Sequence, residues 1–193
     1  MFVTLIISAL SIGVLALLVW GATKAIKRSA SKYPPADPSH KLAGVGGWLL
    51  FLIVKLMLIG PLMELSTLNN EIAQMEATTP ELIALASWTI YKKVLWSICG
   101  VVIAISLATG IFLVRNRTRA AVRRAIVAVW LIGPGSLIAL LAASPILDWS
   151  LSEAAGQLLG TFITGGLGAI LWTAYLMLSK RVRATYGPVP LLT

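Results

Sequence analysis

Residues 94–143 read VLWSICGVVIAISLATGIFLV, then RNRTRAAVRR, then AIVAVWLIGPGSLIALLAA. The outer pieces, Val94–Val114 and Ala125–Ala143, carry no charged side chain, and each is close to the ~20 apolar residues that an α-helix needs to cross a bilayer. Between them stand Arg115, Arg117, Arg119, Arg123 and Arg124. Two spanning helices joined by a short arginine-rich turn are expected to keep that turn on the cytoplasmic side, because Lys and Arg in short loops set orientation.

The same pattern repeats outward from this hairpin. Further spans are expected at about 2–22, 44–63 and 158–178, giving five crossings: an N-terminal helix (1–22), a basic proline-bearing linker (23–43), a four-helix membrane domain (44–187) and a short tail (188–193). The first run is read as a retained helix, since its Lys24, Lys27 and Arg28 follow the apolar stretch rather than precede it. Five basic residues fall in the linker, five in the arginine turn and three at Lys180, Arg181 and Arg183, thirteen of the sixteen in the chain. Six of the seven acids fall in the two opposite loops, 64–81 and 144–157. Every loop therefore returns one orientation, with the N-terminus outside and the C-terminus cytoplasmic.

Composition agrees. The 193 residues are 58% hydrophobic and 12% charged, with a mean hydropathy of +0.90. A soluble domain carries roughly 25% charge, so this chain lacks the polar surface to face water all round. The fold class is all-α, a polytopic transmembrane helical bundle. The net charge of +9 lies in runs flanking apolar segments, so it argues for membrane topology and against nucleic acid as a partner. One Cys (Cys99) and one His (His40) supply neither a disulfide nor a metal cluster. No cofactor is expected, and no nucleophile motif or paired intramembrane carboxylate suggests an enzyme.

Three features stand out within the spans. Lys55 lies about eleven residues into the second, ~16 Å along the axis, where a charge costs at least ~2.5–3.5 kcal/mol on insertion scales. It is expected either to serve a ligand, ion or partner contact, or to snorkel toward the near interface. Gly60-Pro61 and Gly133-Pro134-Gly135 sit in two apolar runs, where a missing donor and a ring clash should kink or break the helix. Both belong to a Leu-Ile-Gly-Pro sequence (58–61 and 131–134), which suggests two hairpins related by duplication. Gly156, Gly160, Gly165, Gly166 and Gly168 enrich the last span in residues that let helix backbones approach, marking a packing face.

Two further patterns flank the four-helix region. Gly46-Gly47-Trp48-Leu49 opens the second span, and Trp172-x-x-Tyr175-x-x-x-Ser179-Lys180-Arg181-Val182 with Thr185-Tyr186 closes the last. Together they resemble the YdgK-like family of small bacterial inner-membrane proteins, the domain-of-unknown-function family DUF2569, over about residues 44–187. The resemblance implies a helical bundle in a bacterial inner membrane and carries over no catalytic residue. The expected role is a non-catalytic accessory or assembly component of a larger membrane complex, meeting the lipid bilayer and either a membrane-protein partner or further copies of itself. The alternative is a small oligomeric transporter or channel using Lys55 and the two Pro/Gly sites.

Overall fold

The computed structural model describes the backbone of residues 2–36, 41–147 and 151–187, and within these the side chains of 16–36, 41–147 and 159–187. Asp37, Pro38, His40, Asp148, Trp149 and the 188–193 tail lie outside the described residues, as do the side chains of Glu153 and any packing at Gly156. Every regular element described is helical: α1 (Phe2–Ser31), α2 (Gly47–Thr78), α3 (Ala86–Arg115), α4 (Arg119–Leu147), α5 (Leu151–Leu178) and the short α6 (Lys180–Tyr186). Among the described residues, four helices are long and apolar enough to cross a membrane: α2, α3, α4 and the 159–178 part of α5.

The helices outrun the apolar runs that announce them. α2 continues past Met63 to Thr78, so Glu64, Glu71 and Glu76 are helical residues rather than loop residues. The reason is tertiary. Leu68, with Ile72 and Met75 packed beside it, shares a core with Trp88, Tyr91 and Leu95 of α3, so burial sustains a helix that composition alone would end. A single 3₁₀ turn, Pro80–Ala84, then joins α2 to α3, which starts at Ala86 rather than Val94. Trp88 is fully buried there.

The core has two parts. At the basic end, side chains from α1 through α6 converge: Ile26, Leu52, Leu113, Val122, Trp172 and Val182 belong to one cluster. At the acidic end the second cluster joins α2, α3 and the end of α4, and none of the described residues of α5 belongs to it. There α2 packs chiefly along α3, while α5 packs along α4. Side chains of all six helices close the basic end of the bundle.

Candidate functional site

Neither Gly-Pro site breaks its helix. In α2, residues Lys55–Ile59 form a π-turn ahead of Gly60-Pro61, and in α4 a second π-turn, Leu131–Gly135, contains Gly133 and Pro134. The Gly60 amide donates to the Lys55 carbonyl, five residues back, and a Cβ on Gly60 would stand 2.9 Å from that oxygen. With that amide diverted and no N–H on Pro61, the Leu56 carbonyl loses both of its possible donors along the helix. Ser106 of α3 replaces them: its hydroxyl donates to Leu56 O at 2.7 Å inside the bundle. Gly110, one turn further along α3, leaves room for Met57. In α4 the Ser136 hydroxyl donates to the Ile132 and Gly133 carbonyls at 2.7 and 2.8 Å. The two Leu-Ile-Gly-Pro sequences thus produce related structures in different registers, the first π-turn beginning three residues before its motif and the second on it.

The π-turn has a geometric consequence. Nine residues of plain α-helix would carry Glu64 ~180° round from Lys55, at ~100° per residue. One extra residue accommodated in the π-turn takes back ~100° and leaves the two within ~80°. Glu64 therefore joins Lys55 on one side of α2. Glu71, two turns on, follows it.

That side lines a cavity of about 620 Å³ walled by all four long helices. Lys55, Glu64, Thr67 and Glu71 line it from α2, Cys99 and Val102 from α3, Gly133, Ser136 and Leu140 from α4, and Thr161, Thr164 and Gly165 from α5. Lys55 sits ~12 Å from the start of α2 by rise per residue, and its ammonium lies 5.6 Å from the ring centroid of the buried Trp172. Trp172 is itself packed among Trp48 (6.4 Å), Phe51 (6.0 Å) and Tyr175 (5.9 Å). The one ion pair among the described residues lies elsewhere, at the acidic end: Lys92 meets Glu76 at 2.7 Å, and the same carboxylate oxygen accepts the Trp88 indole N–H at 2.9 Å. Glu64 and Glu71 are left without an ionic partner among the described residues, Glu64 in electrostatic range of Cys99 and Glu71 of Tyr91. No three His, Cys, Asp or Glu among the described residues converge to hold a metal.

Among the described glycines of α5, only Gly165 meets a neighbouring helix: a Cβ on Gly133 would stand 3.2 Å from the Gly165 carbonyl oxygen. Gly160, Gly166 and Gly168 have nothing within 4 Å of an added Cβ. Within the chain, the described part of this glycine-rich face makes one close backbone crossing of α4 and α5, on the wall of the cavity. Trp130 also bridges this pair, its indole N–H donating to Thr173 Oγ1 at 3.1 Å.

The two terminal patterns singled out in the sequence meet at the basic end. Gly47 has φ +54°, a left-handed conformation that suits glycine at the entry to α2, and a Cβ on Gly46 would collide with the Arg181 guanidinium at 2.8 Å. Thr185 accepts the Gly44 N–H at 3.0 Å and donates to the Arg181 carbonyl at 2.8 Å. Tyr186 donates its hydroxyl to Leu113 O at 2.6 Å, and Arg117 bonds the same carbonyl, the Tyr186 oxygen and, on α1, Ala30 O. Burial pushes the Tyr186 phenol up to about 12, in spite of the nearby Arg117 charge. These residues fasten α6 across the mouths of α1, α2 and α3. Their role is to close the basic end of the bundle.

A family described only as a protein of unknown function, DUF2569, matches residues 42–187. The chain belongs to the DUF2569 family. The match begins just ahead of the Gly46-Gly47 entry and ends at Gly187, so the DUF2569 region takes in α2 through α6, the whole cavity and the α6 fastening, and leaves α1 outside. No curated protein and no solved structure matches the chain.

What sequence reasoning missed was the pair Glu64 and Glu71. Their only advance signal was Gly60-Pro61, which announced a disturbed turn without announcing its register.

Proposed function

We propose that this DUF2569 protein is a non-enzymatic, multi-pass protein of a bacterial inner membrane that binds a small ligand within its bundle, in the manner of a small transporter or channel. The topology is five spans, α1 included, with the N-terminus outside and the arginine turn and α6 cytoplasmic. The thirteen basic residues that fall in alternate segments between the expected spans support that orientation. The observation that carries the ligand reading is the cavity of about 620 Å³. It lies within the ~300–1,000 Å³ usual for ligand sites, is mostly apolar, and holds a few charged groups, Lys55, Glu64 and Glu71. π-turns in α2 and α4 border it, and such turns are frequent at functional positions in helices.

The full-length protein, purified in mild detergent, is to be screened for thermal stabilisation by amphipathic cations, anions and zwitterions. At least one class should stabilise it, and the shift should vanish in Thr164→Phe, which fills the cavity. A flat response across all classes overturns the reading.

The second reading is an accessory component of a larger membrane complex, in association with a partner protein or further copies of the chain. It is supported by α1, which meets α2 and α3 through Ile26 and Ala30 while Leu17, Leu18 and Trp20 stay exposed. Co-purification at native abundance with a stoichiometric partner, lost when α1 is deleted, is its test.

A further inference from the structure

We infer that the cavity takes an organic cation with an apolar body, held by Glu64 and Glu71. This rests on the ligand-binding reading above and names the chemistry of the ligand.

Three observations converge. Glu64 and Glu71 are seven residues apart on α2, within ~20° of the same face and ~10 Å apart along the axis, and both line the cavity. Neither has a cationic partner among the described residues, whereas Glu76, on the same helix, is already neutralised by Lys92. The only Lys or Arg lining the cavity, Lys55, lies nine residues before Glu64, ~13 Å along the axis, with its ammonium over Trp172 at the closed end. A cation entering at the acidic end therefore meets the carboxylates well before the lysine.

The hydroxyls supply the second, independent indication. Ser136 commits its proton to the Ile132 and Gly133 carbonyls, and Thr164 commits its proton to the Gly160 and Thr161 carbonyls at 3.1 and 3.0 Å. A hydroxyl whose hydrogen is spent this way offers only lone pairs to its other neighbours. At these two positions on α4 and α5 the cavity wall presents acceptors, complementary to a positive group. The rest of the lining, with Leu95, Val102, Leu137 and Leu140, suits an apolar body.

Tetraphenylphosphonium and tetraphenylborate are matched in shape and opposite in charge, so the pair isolates the sign of the preference. Binding of each to the purified full-length protein in detergent is to be measured by equilibrium dialysis, with Glu64→Gln, Glu71→Gln, the double variant and Lys55→Met. The expected result is saturable binding of the phosphonium, weakened several-fold in each single variant and at least ten-fold in the double, with no saturable borate binding. Size-exclusion profile and helicity control for folding, and the single variants carry the test if the double does not fold. Saturable borate binding lost in Lys55→Met and indifferent to Glu64→Gln keeps a ligand site but overturns the cation assignment. Phosphonium binding unchanged in both glutamine variants overturns it as well. No saturable binding of either ion, together with a flat stabilisation screen, removes both the site and its ligand class.

Discussion

Replacing Ser106 by Ala should destabilise the bundle, and replacing Pro61 by Ala should remove most of that effect. The Leu56 carbonyl has lost both helical donors, one to the π-turn and one to proline, and the Ser106 hydroxyl at 2.7 Å stands in for them. Ser106 is 4% exposed, so water does not readily take its place. An acceptor stranded in a protein interior costs ~1–3 kcal/mol, and interhelical hydrogen bonds measured in a membrane protein average ~0.6 with a maximum near ~1.7. A cost of ~1–1.5 kcal/mol is the expected value for Ser106→Ala. Alanine at position 61 restores an N–H that reaches Leu56 O in the π-turn, or lets Gly60 return to that carbonyl if the turn relaxes to plain α-helix. Either route supplies the missing donor, so the Ser106→Ala cost should fall by ~1 kcal/mol in the Pro61→Ala background. Reversible unfolding in mixed micelles by sodium dodecyl sulfate titration, run on the four proteins of the cycle, measures it. Equal Ser106→Ala costs in both backgrounds, within ~0.3 kcal/mol, would refute the account of the orphaned carbonyl.

The remaining predictions concern other parts of the bundle. Gly133→Ala presses a Cβ against the Gly165 backbone, which cannot yield as a side chain can, and should cost ~1–3 kcal/mol, whereas Gly160→Ala and Gly168→Ala should cost nothing; the same titration compares them. Tyr186 is buried as a neutral phenol whose folded-state value, about 12, lies above its ordinary value near 10. Its contribution is therefore intact below pH 10 and is lost as pH rises through 12, amounting to roughly 2–3 kcal/mol once the phenolate forms. Unfolding at pH 9 and at pH 12 should show that drop in the native protein and a smaller one in Tyr186→Phe. Lys55→Met removes a cation resting on Trp172 and no ion pair, so it should change stability by no more than ~1 kcal/mol while altering tryptophan fluorescence; a larger loss would mean that Lys55 holds the fold together.

The family patterns acquire a physical meaning at the basic end. Gly46 and Gly47 are small because Arg181 and a left-handed turn occupy the space, and Tyr186 reaches Leu113 because α6 folds back across the bundle. These two terminal patterns hold α6 against the bundle. The groups lining the cavity, Lys55 included, lie outside them.

The four helices long and apolar enough to cross a membrane were legible in the residues, because hydropathy, length and charge are local properties that need no partner to act. Lys55, Gly60-Pro61 and Gly133-Pro134-Gly135 were legible as anomalies for the same reason: a charge or a proline in an apolar run is unusual wherever the helix finally packs. Three matters waited for the tertiary structure. α2 runs to Thr78 because Leu68, Ile72 and Met75 find Trp88 and Tyr91 of α3 to bury against. Gly165 alone among the described glycines of α5 meets another helix, because only there does α4 cross close enough. Glu64 and Glu71 face the cavity because a π-turn rotates the rest of α2, and that turn is sustained by a serine fifty residues away. Helix existence is set by each segment's own free energy in the membrane; the direction a side chain faces is set by which neighbour satisfies the backbone, and that neighbour is distant in sequence.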